Sequence, residues 1–138
     1  DSSGDWDNTK ALLDIEGLIV YPGSELPIIE AIRHGAPGCI SATANLNGTD
    51  IAEVIDLCIA GKWDEAEAKH KKVRAVRLMF QDYAPIPAQK GLLARSTGNS
   101  AWGNLRPPMQ PMGKDKLDAL AASLDSQFGM EFSNPDVT

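Results

Sequence analysis

Leu18-Ile19-Val20-Tyr21 is a continuous apolar run, bounded by Gly17 on one side and Pro22-Gly23 on the other. A run this short and unbroken suits a strand buried on both faces, as in a parallel sheet. Gly38-Cys39-Ile40-Ser41-Ala42-Thr43-Ala44 repeats the pattern with small and branched residues. The flanking segments read as helices. The first covers roughly residues 7–15, with Asp7 or Asn8 as cap, Leu12, Leu13 and Ile15 on its apolar side, and Gly17 as its end. The second is capped by Ser24, carries Pro27 in its first turn, turns Ile28, Ile29 and Ile32 inward and stops at Gly35. Helix, strand, helix, strand predicts β/α units with right-handed crossovers, hence an α/β fold with a parallel sheet. Two strands are too few for a stable sheet, so the pattern is expected to belong to something larger or to pair with another chain.

After the second run the pattern is helical only. Ile51, Val54, Ile55 and Cys58 share one face of a helix over residues 50–60, between a Thr49 cap and a Gly61 stop. A long amphipathic helix is predicted over 63–83, through Ala66, His70, Val73, Val76, Phe80 and Tyr83. Pro85 and Pro87 break it, and Pro87 suits the first turn of a shorter helix ending near Arg95. Thr97 to Gly113 is rich in Gly and Pro and reads as irregular; a last helix is expected over 114–127, with Leu117, Leu120, Ala121 and Leu124 inward. The tail from Met130 to Thr138 is polar and expected to fray. This divides the chain into residues 1–60 and a helical region over 61–138.

A formal net charge of −6 argues against a nucleic-acid binder, which would carry a basic stripe. No apolar run approaches the roughly 20 residues a membrane helix needs. The start, DSSGDWDNTK, lacks the basic and apolar regions of a signal peptide. Cys39 and Cys58 make no disulfide framework and read as buried free thiols, which fits a reducing cytoplasm. His34 and His70 have no metal-ligand spacing, so no metal site is expected. Trp6, Trp63 and Trp102 read as packing anchors, and Lys69, Lys71 and Lys72 as the solvated face of the long helix.

Loops that follow parallel strands gather chemistry, because strand ends and helix starts point there together. Three places qualify. Asp1-Ser2-Ser3-Gly4-Asp5 either lines a pocket or leads as a polar loop into a helix cap. Tyr21-Pro22-Gly23-Ser24-Glu25 offers a glycine, a hydroxyl and a carboxylate, an arrangement that holds a hydroxylated acid or simply makes a capped turn. Ile40-Ser41-Ala42-Thr43-Ala44-Asn45 has small side chains that leave room beside a strand end, or that pack a helix tightly on a sheet.

These three segments, taken with Gly35-Ala36-Pro37-Gly38-Cys39, Ala60-Gly61-Lys62-Trp63, Pro85-Ile86-Pro87 and Leu105-Arg106-Pro107-Pro108-Met109, resemble in order the C-terminal half of the dihydrodipicolinate synthase and N-acetylneuraminate lyase family. The resemblance covers about residues 1–127. It implies the C-terminal part of a (β/α)8 TIM barrel, with strands 7 and 8 around Val20 and Ile40, plus an appended helical region. It also implies a lysine immediately before Asp1 that forms a Schiff base with pyruvate or another 2-oxo acid. A chain beginning at that point is accounted for by a break at a modified lysine, by proteolysis or by a deliberately chosen fragment.

Carried onto this sequence, the resemblance has the Ile40 carbonyl line the pocket beside the lysine. Gly23, Ser24 and Glu25 face the substrate beyond its pyruvate unit, Ser3 and Gly4 shape the floor, and Ala42 stands where some relatives have a substrate-binding hydroxyl. That alanine argues against a sialic-acid-like polyol. The implied activity is a class I lyase or aldolase joining or splitting pyruvate and an aldehyde, with no metal or organic cofactor. One alternative is a dihydrodipicolinate synthase condensing pyruvate with aspartate semialdehyde; a hydroxy-oxoacid aldolase or sugar-acid dehydratase is another. The implied partners are a small 2-oxo acid, the N-terminal half of the same barrel and further copies in a homo-oligomer, with neither nucleic acid nor membrane. A different class, a non-catalytic helical interaction or assembly domain, also fits the helices from Thr49 onward.

Overall fold

The computed structural model describes residues 1–132; the polar tail expected beyond Phe132 lies outside the described residues. Six α-helices are present among them: α1 (Trp6–Leu13), α2 (Ile28–Arg33), α3 (Ala44–Ile59), α4 (Trp63–Met79), α5 (Pro85–Thr97) and α6 (Lys114–Phe128). Short 3₁₀ turns occupy Phe80–Asp82 and Ser100–Gly103. The chain divides into two compact units, residues 1–77 and the residues from Leu78 onward.

The expected α/β fold, the part of a (β/α)8 TIM barrel with strands 7 and 8, is not what the structure shows. The described residues are helices and irregular segments, with no strand. Strand status needs a ladder, and what joins the second run to the first is a backbone bond to the residue just after it, Ile40 N–H to Pro22 O at 3.0 Å. The runs also lack the two-sided burial that their composition predicted. Val20 is 4% exposed, while Ile19 is 72% exposed and Ile40 71%.

In the first unit the core forms where α2, α3 and α4 turn their apolar faces together. Ile28 and Ile29 come from α2, Ile51, Val54 and Cys58 from α3, and Ala66 and Val73 from α4. The spacings within α3 and α4 are three, four and seven residues, the repeat of one helical face. Each fully buried Ile or Val contributes roughly 1.5–3 kcal/mol by leaving water. Helix α3 ends in a Schellman motif: Lys62 N–H reaches Leu57 O at 2.9 Å and Gly61 N–H reaches Cys58 O at 3.0 Å. Gly61 has φ +73°, which a side chain would strain.

The helix starts differ from the sequence expectation in detail. Asp5, not Asp7 or Asn8, caps α1 by accepting from Asp7 N–H at 3.0 Å. Ser24 does not cap α2; its hydroxyl accepts from Leu26 N–H at 3.2 Å and closes a local turn before the helix.

In the second unit, Pro85 rather than Pro87 opens α5, and Leu92 is fully buried on it. Helix α6 turns Leu120 and Leu124 inward. The two helices approach closely at Gly91, where an added Cβ would lie 3.0 Å from both methyl carbons of Leu117.

Candidate functional site

Glu25 lies at the centre of a buried polar cluster in the first unit. Its side chain is fully enclosed. Ser41 Oγ donates to Oε2 at 2.5 Å and Thr43 Oγ1 donates to Oε1. Arg77 Nε stands 3.9 Å from Oε2. Ser41 Oγ and Thr43 Oγ1 are also 2.9 Å apart. Two hydroxyls carry two hydrogens, so with both given to the carboxylate, which only accepts, that third contact has no hydrogen of its own. Thr43 occupies the N-cap position of α3 and makes no cap bond. Its hydroxyl forgoes an interaction ordinarily worth about 1 kcal/mol to hold Glu25 instead.

Helix α4 holds the backbone of the same loop. His70 Nε2 lies 2.8 Å from Glu25 O, and Arg74 Nη1 donates to Leu26 O at 3.0 Å. A carbonyl only accepts, so His70 Nε2 carries a hydrogen and Nδ1 is left as the acceptor in the neutral ring. Burial pushes the His70 pKa down; the bond to the Glu25 carbonyl works the other way, and the charge of Arg74 pushes it down again. Cys39 is half-buried nearby, and burial first, then the Glu25 charge, push its thiol up to about 11. It is therefore a poor nucleophile at neutral pH.

The structure brings the three candidate segments together. An added Cβ on Gly23 would fall 2.9 Å from Asp1 O, so only glycine allows this approach to the first loop. The Asp1 backbone nitrogen donates to Tyr21 O at 2.7 Å. Within the first loop Ser3 Oγ donates to Asp1 Oδ2 at 2.9 Å, and Thr9 Oγ1 donates to the same oxygen at 2.6 Å. Ser3, Gly4, Gly23, Ile40 and Ala42 are exposed, Ser24 is half-buried and Glu25 is enclosed. Thus six of the seven candidate residues keep contact with solvent and one does not. No group of three or more His, Cys, Asp or Glu side chains is placed to hold a metal among the described residues.

A profile of the Dihydrodipicolinate synthetase family matches residues 1–127. The chain belongs to this family. A 4-hydroxy-tetrahydrodipicolinate synthase from Psychrobacter sp. (strain PRwf-1) is 30% identical over 95 residues, 67% of this chain and 32% of that protein. The structure of dihydrodipicolinate synthase from Agrobacterium tumefaciens str. C58 is similar with a TM-score of 0.73 at 26% identity, covering 93% of this chain and 42% of that one. A chloride-inhibited dihydrodipicolinate synthase from Acinetobacter baumannii, complexed with pyruvate, has a TM-score of 0.70 at 27% identity, covering 91% and 43%. The chain therefore spans less than half the length of these relatives.

Within this member of the family, sequence reasoning missed the grip of α4 on the Glu25 loop. His70, Arg74 and Arg77 recur at spacings of four and three, which sets all three on one helical face beside buried Val73. A stripe of three basic or polar groups against an apolar face was the available signal. Of the other groups weighed, Trp63 packs under Arg33, whose guanidinium carbon lies 5.0 Å from the ring centre, and Trp102 is 43% exposed. Lys69 and Lys72 pair with Asp50 at 2.9 and 3.0 Å. No described helix is long and apolar enough to cross a membrane.

Proposed function

We propose that this chain supplies one side of the substrate pocket of a class I lyase or aldolase that works on a 2-oxo acid. The observation that carries the reading is the meeting of the Asp1, Gly23 and Ile40 loops in a member of the dihydrodipicolinate synthetase family. The chain is read as the C-terminal part of a longer protein, and the nucleophilic lysine is proposed to come from the polypeptide leading into Asp1. Its neutral amine adds to the ketone of pyruvate and water leaves, giving an iminium. Loss of a proton from the adjacent carbon gives the enamine, which attacks an aldehyde; the reverse sequence cleaves that carbon–carbon bond. The Ile40 carbonyl, Ser3, Gly4, Gly23, Ser24 and Ala42 line the pocket on this side, and Glu25 belongs to the same wall. The structure of the Acinetobacter relative, complexed with pyruvate, supports that choice of oxo acid.

Condensation of pyruvate with aspartate semialdehyde is the favoured direction, on the strength of the 30% identical Psychrobacter relative, a 4-hydroxy-tetrahydrodipicolinate synthase. The reading includes a homo-oligomer in the cytoplasm, where free thiols such as Cys39 and Cys58 stay reduced. Treating the full-length protein with borohydride in the presence of pyruvate and measuring its intact mass tests the proposal. Hydride adds to the iminium carbon, and one reduced pyruvate adduct is expected. A mass unchanged by the treatment would sink the Schiff-base reading and leave a binding or assembly role.

A further inference from the structure

A glutamate that recognises a substrate has to reach the surface of the pocket, and Glu25 does not. Its side chain has no exposed surface, and each carboxylate oxygen already accepts from one hydroxyl. Both hydroxyls belong to the segment that carries Ile40. Thr43 gives up capping its own helix to make this bond. The peptide carbonyls on the Glu25 side are fixed in turn by His70 and Arg74 of α4. The loop that carries Gly23 and Ser24 is thus anchored to a long helix, and the Ile40 segment is anchored to the loop. A backbone bond, Ile40 N–H to Pro22 O, also joins the two.

We propose that Glu25 is a positioning residue: through Ser41 and Thr43 its buried carboxylate holds the Ile40 carbonyl at a set distance from the Gly23–Ser24 loop, and so fixes the width of the oxo-acid pocket. The inference deepens the Schiff-base reading and rests on it for the identity of the occupant. It separates Glu25 from the exposed residues beside it, which touch the substrate directly.

The test uses Glu25→Gln and Glu25→Met in the full-length protein. Glutamine spans the same gap; its oxygen accepts from one hydroxyl and its amide donates to the other. Methionine fills the space and bonds to neither. Two readouts are taken: hydrogen exchange of the Ile40 amide, and the pyruvate concentration that half-saturates borohydride trapping. Glu25→Met is expected to speed Ile40 exchange by roughly tenfold or more, the factor that goes with losing a hydrogen bond to a charged group. It is also expected to raise the half-saturating pyruvate, and Glu25→Gln to restore both toward wild type. A Glu25 that instead only contacts the substrate beyond its pyruvate unit predicts wild-type Ile40 exchange and half-saturating pyruvate in Glu25→Met, and that result overturns the proposal. Should Glu25→Met fail to fold, Thr43→Val removes one strand of the tie; unchanged Ile40 exchange in that variant also overturns it. If wild type itself traps no pyruvate, the Schiff-base reading falls, and the exchange measurements alone still uphold or overturn the positioning role.

Discussion

Each of the two units contains an arginine facing a carboxylate, and the two pairs behave as opposites. In residues 1–77, Arg77 stands 3.9 Å from a Glu25 that is wholly enclosed, and two hydroxyls complete the carboxylate's bonding. In the second unit, Arg95 and Lys114 both pair with Asp118 across α5 and α6, but the side chains of Arg95 and Asp118 remain 31% and 38% exposed. The closer pair is the wetter one. Water screens Asp118 and stands ready to replace either partner, whereas the buried Thr43 hydroxyl is left with Ser41 Oγ, 2.9 Å away, if Glu25 goes. Burial, not proximity, decides which carboxylate matters.

The largest expected effect follows from that difference. In the full-length protein, Glu25→Ala leaves a cavity, takes the acceptor from the buried Thr43 hydroxyl and from half-buried Ser41, and removes the counter-charge of a partly exposed Arg77, at a cost of about 2–4 kcal/mol. Urea unfolding measures it; a loss below about 1 kcal/mol would mean that water enters the cavity and the contrast collapses. The second unit is expected to owe its stability to helix contact instead. Gly91→Leu places a side chain where Leu117 already sits 3.0 Å from a modest Cβ. Overpacking of this kind costs roughly 1–3 kcal/mol, and the same unfolding curve reads it. A neutral outcome would show that α6 shifts freely on α5.

Helix ends were read well from the sequence, helix starts less well and distant partners poorly. The last helix, expected over 114–127, is Lys114–Phe128, and Gly35 and Gly61 both follow helix ends with positive φ. Those features depend on neighbours within one or two turns. The two strands were overcalled because Leu18–Tyr21 and Gly38–Ala44 have the composition of strands, while strand status depends on a ladder that composition does not supply. The three candidate loops were picked out as segments following expected strands; the strands are absent among the described residues, yet the structure does bring the loops together. The enclosure of Glu25 was invisible for a different reason. Its side-chain partners lie 16 and 18 residues away and its backbone partner 45 residues away, so a carboxylate at a turn read as substrate-facing or as part of a capped turn.

His70 offers a smaller effect with a defined pH window. The ring is neutral beneath the Glu25 carbonyl, and its pKa is held below the usual value, mainly by burial. As pH falls through the ordinary histidine value near 6.5, the unfolded chain takes up a proton that the folded one still refuses. Stability is therefore full above that value and declines until the folded pKa is passed. His70→Gln keeps a donor for the carbonyl and removes the titrating ring. It is expected to cost about 1 kcal/mol at pH 7.5 and to flatten the decline between pH 6.5 and 5.5. Melting curves at those pH values check it; an undiminished slope would assign the acid sensitivity to other groups.

The smallest effect belongs to the exposed pair, and its smallness is the point. Arg95→Met removes the guanidinium but keeps most of the apolar stem against α6, so packing is nearly preserved. Lys114 Nζ, 2.7 Å from Asp118 Oδ2, remains as a counter-charge. The expected loss is below about 1 kcal/mol in low salt. Raising the salt to about 1 M shrinks the Debye length to about 3 Å, and the difference from wild type should then fade. The same salt should leave the Glu25→Ala deficit almost unchanged, because the enclosed carboxylate is reached by no counter-ion. If both deficits faded together, the Glu25 cluster would be open to solvent, and the two carboxylates would no longer be different in kind.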